Sequence, residues 1–229
     1  MMRAAAVMAG AAAIVVSVTL AAAGQQPAFD KSVLPKLFAE IERRVTPSYY
    51  FQQCPADIWR EAVSIGDALF SPPTINYENC ARDVLACAKL CFEGRSGEAC
   101  FETARVIQEN TPEDQQSKTQ AMFAQACATG SAGGCTNRGA GILHDRLVPD
   151  KLRADGDAEK ACTYRTFKLS CDESDAWGCT MYGIVLQQGE GVSEDEAGAI
   201  AAYKKSCGIA ADFDACQYAK ALMKTLESR

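Results

Sequence analysis

Histidine is almost absent from this chain, and several motifs of familiar chemistries are missing altogether. The 229 residues include a single histidine, His144, and contain no Cys-x-x-Cys and no Ser-x-x-Lys. Zinc sites and covalent haem attachment depend on cysteine and histidine at such short spacings. Serine enzymes that act on β-lactams use the Ser-x-x-Lys. The sequence therefore offers no catalytic residue, and we expect neither a metal nor another cofactor.

Basic residues are too few to suggest nucleic-acid binding. Lysine and arginine number 23 against 29 aspartate and glutamate, which leaves a net charge of −6. An acidic chain without a basic cluster lacks the attraction for a phosphate backbone that drives such binding. After Leu20 no apolar run is long enough to span a bilayer. We expect no nucleic-acid partner and no membrane association once the N-terminus is removed.

The N-terminus has the three parts of a secretory signal peptide. Arg3 precedes the apolar stretch 4–20, which ends in an Ala-x-Ala site at Ala21 to Ala23. We expect residues 1–23 to be cleaved off; the alternative is an uncleaved anchor, since about 20 apolar residues just span a bilayer. All 12 cysteines follow this segment. An even, high cysteine count after an export signal predicts a disulfide framework in the periplasm or outside the cell.

The cysteines recur as close pairs with a period near 36 residues. Partners within a pair are 8 or 9 positions apart, and the first members of successive pairs are 36, 44 and 36 positions apart. The pairs are Cys91/Cys100, Cys127/Cys135, Cys171/Cys179 and Cys207/Cys216. Self-similarity at this length is typical of stacked helical repeats. It predicts an all-α solenoid in which each repeat is a pair of antiparallel helices.

Other residues keep the same phase. In three of the four pairs an aromatic residue precedes the first cysteine by four positions, at Phe123, Phe167 and Tyr203; the fourth pair has Cys87 there. A small residue follows the second cysteine by four positions in three pairs, at Ala104, Gly139 and Gly183, and the fourth has Lys220. Small residues let helices approach, and we expect the aromatic rings to fill the space between layers. The predicted elements are helices over 29–45, 55–69, 78–91 and 214–227, a loop over 146–157 and a capping box from Ser193 to Glu196.

Three stretches of the last full repeat carry a family resemblance. Residues 176–183 (AWGCTMYG), 188–195 (QGEGVSED) and 202–207 (AYKKSC) together look like one complete Sel1-like repeat. The paired cysteines resemble the cysteine-rich branch of that family, similar to the Helicobacter cysteine-rich proteins and to the mitochondrial Sel1-repeat assembly factor for respiratory complexes. The resemblance implies a TPR-like solenoid over 55–229, with about four repeats and a C-terminal capping helix, preceded by a one-helix segment over 24–54.

In that geometry each close pair becomes a disulfide. The first cysteine ends one repeat's second helix and the second begins the next repeat's first helix, so a short loop can bring their Cα atoms within bonding reach. For Cys54 we favour a bond to Cys87 over one to Cys80. Cys162 has no obvious local partner, and free thiols at Cys80 and Cys162 remain an alternative.

Scaffolds of this kind bind partners on the concave face formed by the first helices. We expect a protein or peptide partner on a monomer, contacted by residues that follow the second cysteines: Phe101, Thr136, Asn137, Arg138, Thr180, Met181, Gln217 and Tyr218. Arg138 either packs its stem and extends its charge to solvent, or points into the groove toward an acidic ligand. His144 is either a surface residue at a helix end or a pH-sensitive contact.

The resemblance leaves three functions open, because one repeat fold serves many roles. The first is an exported protein-binding scaffold without enzymatic activity, which we favour. The second is a β-lactam-binding or β-lactamase-like protein, because some cysteine-rich relatives carry that description. The third is an assembly or redox helper for exported proteins, which would need a free thiol among the remaining cysteines.

Overall fold

Every regular element in the described part of the chain is a helix. The computed structural model describes residues 29–45, 53–60, 74–112, 116–143 and 156–228. The helices are α1 (Leu34–Arg44, after a 3-10 turn at Lys31–Val33), α2 (Pro55–Ile58), α3 (Tyr77–Arg82), α4 (Val84–Phe92), α5 (Gly97–Asn110), α6 (Gln116–Ala128), α7 (Ala132–Leu143), α8 (Gly156–Asp172), α9 (Ala176–Gln188), α10 (Glu196–Ile209) and α11 (Asp214–Glu227). The all-α class is therefore confirmed.

Some sequence predictions concern residues outside these ranges. They include the signal peptide over 1–23, His144, the part of the predicted helix beyond residue 60 and most of the loop over 146–157. Residues 156 and 157, the last two of the predicted loop, are described and are helical, because α8 begins at Gly156. Within the described residues, no helix combines the length and apolarity needed to cross a bilayer.

Helices α4 to α11 pack in chain order, as expected for a repeat-like fold. Each of these helices contacts the next one in the chain. In addition, α5 contacts α7, α7 contacts α9, and α9 contacts α11. The phased residues explain this packing. A methyl group on Gly139 would press against the ring of Phe167, and one on Gly183 would meet the ring of Tyr203. Both rings are fully buried. The glycines therefore let each ring lie directly on a neighbouring backbone.

Disulfides close every second junction between the helices α4 to α11. Bonds join Cys91 to Cys100, Cys127 to Cys135, Cys171 to Cys179 and Cys207 to Cys216, with Cα atoms 4.2–4.6 Å apart. These are the four predicted close pairs. Two further disulfides use the other four cysteines, so all 12 are paired. Six disulfides in a chain of this size indicate an oxidising environment such as the periplasm or the extracellular space.

The expected Cys54–Cys87 bond is wrong. Cys54 bonds to Cys162, 108 positions along the chain, and Cys87 bonds to Cys80. The reason is the position of α2. Instead of packing on α4 as an ordinary first helix would, α2 packs on α6, α7 and α8. Its Pro55 and Ile58 are buried there, which brings Cys54 to α8.

The predicted single helix over 78–91 is broken at Asp83. In an unbroken helix Cα atoms seven positions apart are separated by about 10.5 Å, which is beyond the reach of a disulfide. The break between α3 and α4 brings the Cα atoms of Cys80 and Cys87 to 5.5 Å. Asp83 begins the new helix as its N-cap, where its carboxylate accepts a hydrogen bond from the Ala86 amide at 3.0 Å. The disulfide is therefore possible only because the helix is broken here.

The turn before α10 contains two left-handed glycines, and α10 has a different N-cap from the one predicted. Gly189 and Gly191 have φ of 66° and 74°, a left-handed conformation that favours glycine. A side chain on Gly191 would also collide with the backbone at Lys160. The N-cap, however, is Asp195, which accepts from the Gly198 amide at 2.8 Å, and not Ser193. The capping box was therefore placed two residues too early.

The N-terminal helix belongs to the same core as the first disulfide-linked helices. Leu37, Ile41 and Val45 are buried in one cluster with Cys91, Cys100 and Phe123. The helix is a little shorter than the predicted 29–45, because α1 begins at Leu34 after the 3-10 turn. This segment therefore packs on the repeats and does not stand apart from them.

Candidate functional site

Half of the residues expected to contact a partner are buried. Thr136, Arg138, Thr180 and Met181 expose between 0 and 8% of their surface. Phe101 and Asn137 are half-buried, and Gln217 and Tyr218 are exposed. The four buried residues cannot contact a partner on the folded protein. The predicted concave face therefore does not form one continuous contact surface.

The buried threonines make hydrogen bonds between neighbouring helices. The Thr180 hydroxyl lies 2.9 Å from the Ser206 hydroxyl and donates to the carbonyl oxygen of Ala215 at 3.1 Å. Thr136 donates to the carboxylate of Asp175 at 2.7 Å. A buried hydroxyl needs such a partner, because leaving it unsatisfied costs about 1–3 kcal/mol. Threonine at these positions is explained by helix packing.

Both alternatives for Arg138 are wrong, because its guanidinium is inside the protein. The residue is 1% exposed, and Nη1 donates to the side-chain oxygen of Gln120 at 3.1 Å. Burial lowers the pKa of Arg138 to about 10, and the Glu159 carboxylate opposes that shift. The charge therefore joins α7 to α6 and faces toward α8. It is not available to an external ligand.

A cavity of about 350 Å³ opens where the turns of three repeats meet, a volume within the range of small-ligand sites. We call it the Trp59 cavity. It is lined by Trp59 after α2, Glu98 and Phe101 of α5, residues 130–133 before and in α7, and Glu173, Ser174 and Asp175 before α9. The residue that follows α2 thus adds an aromatic wall to turns that the disulfides hold together. Phe101 is the one predicted partner residue that the cavity contains.

The charge of the Trp59 cavity is negative. Its described lining holds three carboxylates and no lysine or arginine. Partial burial raises the pKa of Glu98; Arg105 opposes this, and the nearby Asp175 carboxylate adds to it. Burial also raises the pKa of Asp175, opposed by its hydrogen bonds from Thr136 and from the Gly178 amide. Asp175 thus adds to the negative charge felt by Glu98, although the two residues begin different helices.

The helix N-termini around this cavity are already capped. The Ser96 hydroxyl accepts from the Ala99 amide, the Ser131 hydroxyl from the Gly134 amide, and the Asp175 carboxylate from the Gly178 amide, at 3.2, 3.2 and 2.6 Å. Uncapped N-termini attract anions through their amide groups. Here one amide of each helix N-terminus already has a side-chain partner within the protein.

A partly exposed aromatic cluster lies at the starts of α9 and α11. In this Trp177 patch the indole of Trp177 lies 6.5 Å from the ring of Phe213 and 6.1 Å from that of Tyr218, measured between centroids. Phe213 and Tyr218 expose 48 and 49% of their surface. Trp177 follows the cavity residue Asp175 by two positions, and the patch lies at the starts of α9 and α11. Exposed aromatic groups of this kind are enriched at protein interfaces.

Sequence reasoning missed most of the residues at these two places. Trp59, Glu98, Trp177 and Phe213 were not predicted, although Trp177 holds the same phase relative to its cysteine as Glu98. That phase, two positions before the second cysteine, places both side chains in the first turn of a helix. The residues at the start of each first helix were therefore the better candidates for partner contacts. The residues that were predicted lie one helical turn further along the chain.

Among the described residues there is no group of three metal-binding side chains, and every cysteine of the chain is in a disulfide. What the structure presents is a cavity and an aromatic surface. Comparison with family models, with curated proteins and with solved structures gave no match to this chain.

Proposed function

We propose that this protein is an exported scaffold of Sel1-like repeats, stacked as a solenoid, that binds a protein partner in an oxidising compartment. The proposed contact surface consists of the Trp59 cavity and the Trp177 patch, along the first turns of α5, α7, α9 and α11. The proposal rests on one observation above all: an acidic, aromatic-lined cavity and a cluster of exposed aromatic rings both include residues at the start of α9, in a chain held by six disulfides.

Rigidity supports this proposal. Binding orders mobile side chains and loops at a cost of about 0.5–1.5 kcal/mol for each flexible side chain, so a preorganised surface retains more of its contact energy. The disulfides Cys91–Cys100, Cys127–Cys135, Cys171–Cys179 and Cys207–Cys216 lie at the ends of the helices whose first turns carry the surface. Covalent bonds therefore fix the relative positions of its parts.

The two alternative functions lack an observation in their favour. A redox helper needs a reactive thiol, and all 12 cysteines are in disulfides. A β-lactam hydrolase needs an activated nucleophile, and the Trp59 cavity contains only Ser131 and Ser174 as hydroxyl side chains, without an adjacent lysine or histidine in its described lining. Ser131 is moreover engaged as a helix cap. The binding scaffold is the function that these residues support best.

Site-specific photo-crosslinking in the exporting cell tests the proposal. A benzophenone amino acid at Tyr218 should form a discrete covalent adduct with one partner. The control position is Glu194, which is exposed beyond the far end of α9, about 18 Å along that helix. Trp177→Ala should abolish the adduct while leaving the thermal unfolding temperature within about 2 °C. Equal adducts at both positions, or an adduct that survives Trp177→Ala, would contradict the proposed surface.

A further inference from the structure

The Trp59 cavity has the features of a pocket for one positively charged side chain. Three carboxylates and two aromatic residues, Trp59 and Phe101, border the same space of about 350 Å³. Ammonium and guanidinium groups bind well between carboxylates and the faces of aromatic rings. The volume suits a lysine or arginine side chain together with part of its backbone, and it is too small for a folded element.

The protein already stabilises a cation in this way beside the cavity. The guanidinium of Arg105 lies 5.0 Å from the ring centroid of Tyr77 and 5.9 Å from that of Phe101, and it pairs with Glu102 at 3.2 Å. Arg105 does not line the cavity. Inside, Glu98, Glu173 and Asp175 form the carboxylate side of the same arrangement. A ligand cation would supply the missing positive charge there.

A ligand cation would also relieve a cost that the folded protein carries. The Asp175 carboxylate lies close enough to Glu98 to raise its pKa, although the two residues are 77 positions apart in the chain. Bringing a positive charge between two carboxylates replaces their repulsion with attraction on both sides. An anionic ligand would instead add a further negative charge beside these carboxylates.

We propose that the Trp59 cavity recognises a lysine or arginine side chain presented by an extended segment of the partner protein. Glu98 and Glu173 are the residues that select the charge, and Trp59 is the ring on which the cation rests. Asp175 positions α9 through its bonds to Thr136 and to the Gly178 amide, and it adds a third negative charge. This inference deepens the proposed function and rests on it for the existence of a partner.

The two tryptophans of the chain provide a direct readout. Trp59 lines the cavity and Trp177 lies in the neighbouring patch, and there are no others. Their indole N–H groups give two signals in a ¹H–¹⁵N spectrum, which Trp59→Phe and Trp177→Phe assign. The probes are pentapeptides Ac-Gly-Gly-X-Gly-Gly-NH₂ in which X is lysine, arginine, norleucine or glutamate. Norleucine matches the apolar stem of lysine without its charge.

The lysine and arginine peptides should shift the Trp59 signal in a saturable titration, and the other two should not at the same concentration. Glu98→Gln with Glu173→Gln should weaken binding about ten-fold or more. The matched control, Glu194→Gln with Glu227→Gln, removes two exposed carboxylates elsewhere and should leave the affinity unchanged. Raising the salt concentration should weaken the wild-type interaction, since an ion pair at an open cavity is screened.

Several results would overturn the charge selectivity. They are an equal shift from the norleucine peptide, a larger one from glutamate, a shift of Trp177 alone, or no shift of Trp59 with any peptide. None of these outcomes decides the proposed function, because crosslinking at Tyr218 tests the partner surface independently. Conversely, a loss of that crosslink with an intact lysine response would remove the partner surface and leave the cavity as a binding site for small cations.

Discussion

Removing the long-range disulfide should destabilise this protein far more than removing a local one. The perturbation is Cys54→Ala with Cys162→Ala, which leaves the other five disulfides in place. The control is Cys207→Ala with Cys216→Ala. The pairs are matched, because each has one half-buried and one buried cysteine. They differ in the length of chain that they close, 108 positions against 9.

The expected magnitudes follow from the entropy of the unfolded chain. Closing a loop of 108 positions stabilises by about 4.8 kcal/mol and closing one of 9 by about 2.6 kcal/mol. Three local disulfides lie within the long loop and shorten it, which lowers the first figure only to about 4.6 kcal/mol. The two variants should therefore differ by about 2 kcal/mol. With a urea dependence of about 2 kcal/mol/M, the midpoints should differ by about 1 M.

Equilibrium urea unfolding without reductant, followed by far-ultraviolet circular dichroism, measures both losses. Mass spectrometry of each variant must first show that the remaining disulfides are those of the wild type. Equal losses, or a greater loss in the control, would refute the reasoning. Such a result would mean that α2 is held on α6 to α8 by its own packing, through Pro55 and Ile58, and that the long bond restricts the unfolded chain little.

Three further predictions concern packing and charge. Gly183→Ala should cost about 1–3 kcal/mol, because the added methyl group is forced against the Tyr203 ring. Gly208 has open space around it, so Gly208→Ala should stabilise α10 by up to about 1 kcal/mol. Thermal unfolding of the two variants compares these effects. Asp175→Ala should cost about 2–4 kcal/mol, because it removes a helix cap and strands a buried threonine hydroxyl. Asp175→Asn keeps the one side-chain oxygen that accepts both hydrogen bonds and should change stability by less than about 1 kcal/mol. Burial raises the pKa of Glu102, so its ionised form destabilises the folded state at pH 7. The free energy of unfolding should therefore rise as the pH falls through that raised pKa. Glu102→Gln should reduce this rise when urea unfolding is measured as a function of pH, and an unchanged pH profile would contradict the prediction.

The local disulfides could be predicted because their partners are close in sequence and keep a regular phase. A spacing of 8 or 9 positions between helix ends leaves few alternatives for a bond. The spacing of the Phe167 and Gly183 positions likewise reflected contacts within or between adjacent helices. These are the conditions under which a sequence pattern and a spatial neighbourhood coincide.

The candidate site was predicted less well, because the sequence alone does not show whether a polar side chain is buried or exposed to solvent. Thr136 and Thr180 were expected on the surface, yet each hydroxyl finds an acceptor across a helix interface. Arg138 was expected to reach solvent, yet the oxygen of Gln120, 18 positions earlier, satisfies it inside. Such satisfaction depends on partners from another helix, and no spacing rule indicated them.

By itself the sequence determined the all-helical class, the phase of the helix pairs and the four disulfides between adjacent helices, because each of these depends on residues within about one repeat of each other. Only the tertiary structure decided that α2 packs on α6 to α8, that Cys54 pairs with Cys162 and that Trp59 meets Glu98 and Asp175 around one cavity. Those contacts join segments that are far apart in the chain. Their formation depends on the three-dimensional packing of the helices, which a periodic sequence pattern does not predict.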